Sequence, residues 1–339
     1  MYVIKMAAQY ERIQLDSFIT WHSGAGVDID EKTGNICVIS DAGLALYVNK
    51  NGNYTKQPQI APLTCWEGAA GVSINDNTGA IAAVHEGGLN LYEPSGNGFK
   101  EYILDKFTKR RTGADCVFRM ATGDIIMVSD AEGLTLQQKT SAGYVKNPID
   151  KFGAWRPGAG LDINQKNGDI FAVANHKGGA EGPYPIDADS PPGDQWPKGD
   201  CLARYRPIGS NQYLKMIVHH PVSWLGGADL DVNDETGEVI TVSDPVINMY
   251  KPEGDMYSRT SLGVAHTHSE GAALKINAQT GEFVMITDGL IQIYVTGHQG
   301  TPIDTAMTRN SGVDVDINRH TGEIVLVDNR GLTLYRKKA

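Results

Sequence analysis

The sequence has no apolar run near the roughly 18 residues that a membrane-spanning helix needs, which excludes a helical span. Its opening, MYVIKMAAQYERIQ, passes from four apolar residues straight to charge and so lacks the layout of a secretory signal. The expectation is a chain that stays in the cytosol or leaves it by assembly or lysis, as virion and injected proteins do. Cysteine is scarce, with four in 339 residues. Cys37 and Cys116 fall at apolar strand positions, and Cys65 and Cys201 lie far apart in loops. That spacing excludes a metal cluster and favours idle or buried thiols over disulfides. Positive charge is also short, at 30 Lys and Arg against 40 Asp and Glu, a net −10. Phosphate binding needs a basic face, so nucleic acid is excluded as the main partner. An acidic surface instead favours solubility and cation binding.

What is present is repetition. A glycine recurs at Gly34, Gly79, Gly123, Gly168, Gly237, Gly281 and Gly322, at intervals of 45, 44, 45, 69, 44 and 41 residues. Around it stand GVDIDEKTGNICVISD, GVSINDNTGAIAAVHE, GLDINQKNGDIFAVAN and four further copies, of which DCVFRMATGDIIMVSD is the loosest. Alternation of period two on either side of Thr-Gly or Asn-Gly reads as strand, turn, strand. A third strand follows in LALY, LNLY, INMY, IQIY and LTLY, and a fourth begins near NYTK. The four strands are designated A to D in chain order within each unit.

Seven four-stranded units of about 44 residues resemble the seven-bladed β-propeller repeat proteins, and imply an all-β ring forming one domain over residues 1–339. After Gly322 only strands A, B and C remain before RKKA. Tyr10 precedes Trp21 by the same eleven residues that separate Tyr144 from Trp155 and Tyr213 from Trp224. The N-terminal strand therefore takes the place of strand D in the last blade, closing the ring and its open edges.

Antiparallel order puts the B–C turns and the D–A connections on one face. The A–B turns on the other face, such as DEKTGN and NDETGE, carry no distinctive chemistry. Seven residues before a common point in each strand A stand Trp21, Trp66, Arg110, Trp155, Trp224, His268 and Arg309. Arg156 adjoins this set, as do His22, Arg111, His219, His220 and His266. The tryptophans suit either wedges between neighbouring sheets or platforms for the C–H face of a sugar. Their replacement by Arg and His in three blades favours a specialised rim, because a plain wedge has no use for charge. The B–C turns add Asp41, His85, Glu86, Asp130, Asn175, His176, Asp244, Asp288 and Arg330. The long interval holds about 25 extra residues over 176–200 in the B–C turn of blade four, a loop suited to ligand or oligomer contact, with Tyr184 and Trp196 as candidate contacts.

Asp28, Asp162, Asp231 and Asp316 share one register of strand A, and Asp115, Asp229 and Asp314 lie two residues earlier. Carboxylates crowded near one axis must accept hydrogen bonds from backbone amides, hold protons, or share a cation. Capping of neighbouring amides is the simplest arrangement, and Ca²⁺ or Mg²⁺ is the candidate metal if a cation is used. No cofactor is otherwise required.

The residues of the rim point to a ring that binds a glycan or an acidic polysaccharide through Trp platforms and Arg clamps, in a virion or injection apparatus among other settings. Some glycan-binding proteins and polysaccharide lyases share this fold, and that resemblance implies a second reading. There, arginine neutralises a uronate and His85 or His176 moves the proton. A protein-interaction scaffold is the third reading, and it predicts an apolar rim. The sequence lacks a serine nucleophile elbow, a phosphate loop, a His-x-x-x-His motif and a glycosidase-like acidic pair.

Overall fold

A computed structural model describes residues 10–18, 24–63, 65, 70–106, 114–129, 132–150, 159–176, 199–209, 211–219, 228–243, 246–264, 272–287, 289–294, 300–305 and 313–338, with the backbone alone at 159, 174–176 and 199–201. The described strands form seven antiparallel sheets of four strands each. The inner strands are Gly26–Ile29, Gly71–Asn75, Ala114–Arg119, Ala159–Ile163, Asp229–Val232, Ala273–Ile276 and Asp314–Ile317. Each touches the next, and Asp314–Ile317 touches Gly26–Ile29, so the ring is closed. The strand Tyr10–Asp16 pairs with Gly331–Lys337 as the outermost strand of blade seven, as the terminal arithmetic predicts.

The recurring glycine does the work expected of it, with φ between 68° and 78° at all seven positions. Its turn is wider than a two-residue hairpin. In blade one the Gly34 amide donates to the Asp30 carbonyl at 2.7 Å, and the Asp30 carboxylate accepts from the amides of Lys32 and Thr33 at 2.9 Å. Asn75, Asn164, Asn233, Asn277 and Asn318 cap the matching turns with their amide oxygens. A short polar side chain at the end of strand A thus fixes the turn that the glycine permits.

Apolar packing lies between the blades rather than at one centre. Seven separate clusters form, each drawn from two neighbouring sheets. The tyrosine of strand C, in the repeated Leu-x-Leu-Tyr pattern, is buried at Tyr47, Tyr92, Tyr205, Tyr250 and Tyr335. At Tyr47, Tyr205 and Tyr335 the hydroxyl reaches the outer strand of the preceding blade, whereas Tyr92 donates to Glu101 of its own blade at 2.8 Å. Tyr47 donates to Asp16 at 2.5 Å, Tyr205 to Asp150 at 2.7 Å and Tyr335 to Asp304 at 2.7 Å. A cation completes each clasp, with Lys56 on Asp16 and Lys215 on Asp150 at 2.6 Å, and Arg12 on Asp304 at 3.1 Å. At the junction of blades four and five His219 replaces the aspartate, its ring nitrogens 3.1 Å from the Tyr250 hydroxyl and 2.8 Å from Arg259.

Cys37, Cys65 and Cys116 are buried free thiols, matching the reading of idle cysteines. Cys201, expected in a loop, instead pairs with Ala174 in the strand Gly199–Gly209, because the inserted segment ends before residue 199.

The clasps make a prediction. Asp150→Ala removes the acceptor of both Tyr205 and Lys215 and is expected to lower unfolding free energy by about 1–3 kcal/mol. Lys166→Ala, which breaks only the exposed pair with Glu235, is expected to cost less than about 1 kcal/mol. Urea unfolding of the two variants against the parent chain measures both.

Candidate functional site

Within blades one to six the chain runs inward-to-outward through strands A, B, C and D, in blade seven through A, B and C, and alternate ends therefore share a face. The B–C turns and the strand ends that flank the D–A connections lie on one face, and the A–B and C–D turns lie on the other. Trp21, Trp66, Arg110, Trp155, Arg156, Trp224, His268 and Arg309, together with Tyr184 and Trp196 of the insertion, lie outside the described residues. His176 closes the strand Ile170–His176, where its backbone pairs with Gly199.

His85 ends strand B of blade two and is only 8% exposed. Its Nδ1 accepts the Gly87 amide at 3.1 Å, and burial lowers its pKa, so the ring is neutral with its proton on Nε2. The same position in other blades does the same job. Ser40 accepts from the Ala42 amide at 3.1 Å, Ser129 from Glu132 at 3.2 Å and Asp328 from Arg330 at 2.8 Å. His85 is thus the blade-two version of a polar cap on the B–C turn. Arg330, another rim candidate, is bound by Asp328 at 2.7 Å and by the Thr305 carbonyl at 2.7 Å.

On the A–B face, polar side chains are directed to the neighbouring blade. Lys32 reaches Asn77 at 2.6 Å, Asn77 reaches the Met120 carbonyl at 2.9 Å, and Gln165 spans to both Met120 and Phe118. Lys166 pairs with Glu235, Gln279 meets His320 at 3.0 Å, and Arg319 meets Glu31 at 3.2 Å. These contacts tie the turns of successive blades to one another.

The axis holds the strand-A aspartates, and the structure gives each level its own chemistry. The inner edge of a sheet presents amides with no strand beyond them. At the first level each carboxylate brackets two such amides, its own and its neighbour's. Asp229 accepts from Leu230 and Leu274, both at 2.8 Å, and Asp314 from Val315 and Val27, both at 2.8 Å. Asp115 accepts from Cys116 at 2.7 Å and Leu161 at 3.2 Å. Space at this collar is tight. A Cβ on Gly71 would fall 2.7 Å from Asp115 Oδ1, and one on Gly160 would fall 2.7 Å from Asp229 Oδ1 and from the Leu230 amide. A side chain at Gly71 or Gly160 would therefore press on the aspartate of the next blade.

At the second level Asp28, Asp162, Asp231 and Asp316 each accept one amide of the next blade, at 2.5, 2.9, 2.7 and 2.7 Å. Their remaining oxygens form an arc with Lys275, which the sequence reading missed. Lys275 Nζ stands 3.1 Å from Asp231 and 4.0 Å from Asp316. Asp28 interacts with Asp316, and Asp162 with Asp231. Burial, then the adjacent carboxylate, pushes the pKa of Asp28 and of Asp162 well above the usual carboxylate range. Burial opposes the charge on Lys275, but Asp231, Asp162, Asp316 and Asp28 outweigh it and raise its pKa. Amides and a cation thus both serve to relieve the crowding, and the chain's own ammonium is one bridging cation. Among the described residues no group of three or more His, Cys, Asp or Glu is arranged to hold a metal ion. The channel these residues line has a volume of about 150 Å³. That is below the roughly 300–1,000 Å³ of ordinary ligand pockets.

Alignment of the inner strands by register would have found Lys275, which occupies in blade six the column of Asp28, Asp162, Asp231 and Asp316. The same treatment of strand B would have grouped His85 with Ser40, Ser129 and Asp328.

Two predictions follow from the axis. Burial raises Asp115 to about 6, Asp314 to about 8 and Glu31 to about 7, whereas an unfolded carboxyl titrates near 4. The folded ring then binds more protons than the unfolded chain, and stability falls as pH rises. This contribution is complete below about pH 4 and is lost as pH passes through 6 to 8. The urea midpoint is expected to drop between about pH 5 and about pH 9, and Asp314→Asn to flatten the upper part of that slope. Separately, Lys275→Met leaves Asp231 and Asp316 without their shared cation and is expected to cost about 3–5 kcal/mol, read by denaturant titration at neutral pH.

No family model matches the chain, and no curated protein matches its sequence.

Proposed function

We propose that the protein is a recognition ring that binds a glycan or an acidic polysaccharide on the face of the B–C turns and D–A connections. One observation carries the choice of face. The A–B turns direct Lys32, Asn77, Gln165, Lys166, Gln279 and Arg319 to neighbouring blades, so that these side chains are engaged in structural contacts. The axial channel, at about 150 Å³, is smaller than an ordinary ligand pocket and is lined by internal ion pairs and hydrogen bonds from backbone amides to carboxylates. The sequence concentrates Trp21, Trp66, Trp155 and Trp224 with Arg110, Arg156, His268 and Arg309 in the D–A connections. Flat indoles stack on sugar rings, and guanidinium groups pair with carboxylates or sulfates in two-point contact.

The role of His85 supports binding over proton transfer. A neutral imidazole that caps a turn through Nδ1 has no lone pair left to act as a base.

The test is titration of the full-length protein against a panel of neutral and acidic oligosaccharides by calorimetry. Binding is expected, with the dissociation constant rising at least about tenfold for Trp66→Ala or Trp155→Ala while thermal unfolding stays near that of the parent. Failure to bind any member of the panel would sink the reading. Growth of the ultraviolet absorbance of an unsaturated uronate would replace it with a lyase.

A further inference from the structure

The outer strands of blades two to seven each carry a β-bulge, a device that re-aims the side chain beside it. In four of them the residue past the bulge is an aspartate: Asp105, Asp150, Asp304 and Asp16. Each aspartate meets a cation from the outer strand of the next blade. Lys146 stands on Asp105, Lys215 on Asp150 and Lys56 on Asp16 at 2.6 Å, and Arg12 stands on Asp304 at 3.1 Å. Blade five has Gly263 at this place and blade four has His219. The cation beyond His219 is retained. Arg259 lies opposite Tyr250 in its sheet, as Lys56 lies opposite Tyr47 and Lys215 opposite Tyr205. An imidazole therefore faces a guanidinium where four other seams set a carboxylate.

The geometry fixes the state of that imidazole. A guanidinium only donates, so Nε2 of His219, 2.8 Å from Arg259, must offer its lone pair. The ring proton then sits on Nδ1, 3.1 Å from the Tyr250 hydroxyl. Tyr250 accepts, whereas Tyr47, Tyr205 and Tyr335 donate. A second proton on the ring would set N–H against N–H and one positive charge against another.

We propose that the seam between blades four and five is acid-sensitive: a proton on His219 releases Arg259 and loosens the outer strands of these two blades, while the seams clasped by aspartate hold. The ring is half-buried, so water can supply the proton. Other charged and titratable groups along the seam are already matched. Arg204 is bound by Asp169 and lies over the Tyr257 ring at 5.6 Å, and Arg206 of blade four meets Asp255 of blade five at 2.8 Å. The closed seam binds one proton fewer than the open one, so closure weakens as pH falls through about 6.5, where a free imidazole titrates. Carboxylates titrate some two units lower. Burial opposes the charge on Asp16, yet hydrogen bonds from Lys56 and Tyr47 hold its pKa below the usual carboxylate range. The effect is local and opposite in sign to that of the axial carboxylates, and it does not depend on what the rim binds.

Hydrogen exchange of the full-length chain, read by mass spectrometry at about pH 5.5 and about pH 7.5 and corrected for the intrinsic rate, tests it. In the parent, Gln212–His219 and Met256–Val264 are expected to exchange about tenfold faster at the lower pH, the factor that two like charges at this distance are worth even in water. Gly143–Asp150 and Tyr10–Asp16, clasped by aspartate, are expected to show no such rise. His219→Asp restores the carboxylate of the other seams and is expected to abolish the difference. His219→Gln, which keeps a neutral acceptor for Arg259, is expected to do the same and serves if the first variant does not fold. Equal protection of the parent at both pH values overturns the proposal. So does a rise shared by all outer strands, or one that persists when His219 is replaced.

Discussion

A sheet that ends at an axis leaves its last row of amides without a strand to pair with, and the organisation of this ring depends on how those amides are satisfied. Val27, Ile29, Ile74, Leu161, Val232, Leu274 and Ile276 all donate to a carboxylate from the preceding blade. Water could serve the same donors, but only at the expense of a wider channel and a looser ring. Carboxylates on the chain do it with fixed geometry, and they couple each blade to the next at the place where the blades are closest. The crowding of buried acid that results raises the pKa of Asp28 and Asp162 and is relieved by the Lys275 ammonium. Leaving a buried charge unpaired is costly, so these groups form one electrostatic unit.

Much of the architecture was legible because the fold is a repeat. The glycine at the A–B turn, the apolar alternation and the Leu-x-Leu-Tyr strand fix the number of strands and blades, and the short last unit shows which strand closes the ring. What pairwise patterning does not show is contact between blades. Lys275 reads as an ordinary polar strand residue until closure brings blades five and seven to either side of it. Asp150 and Asp304 gain a role only when Tyr205 and Tyr335 of the following blades are placed against them. His85 read as rim chemistry because histidine draws attention, whereas the serines and aspartate in the same column did not. Its position is a turn cap, and only comparison across blades reveals that.

Small residues at the collar show how closely the repeat is fitted. Gly71 and Gly160 stand beside Asp115 and Asp229, so large and small alternate around part of the ring. Seven carboxylates at one level would neither fit nor be tolerated electrostatically. Distributing them over two levels, with glycine where backbones come nearest, gives the inner strands enough acceptors without overfilling the channel.

Closure by Tyr10–Asp16 has a consequence for biosynthesis. The ribosome makes this strand more than 300 residues before its partner Gly331–Lys337, a delay of tens of seconds at about 5–20 residues per second. Throughout that interval the nascent chain carries a strand whose resting place does not yet exist. Its charged and polar outer residues, Glu11, Arg12 and Gln14, are then what keep an unpaired edge from recruiting the wrong neighbour.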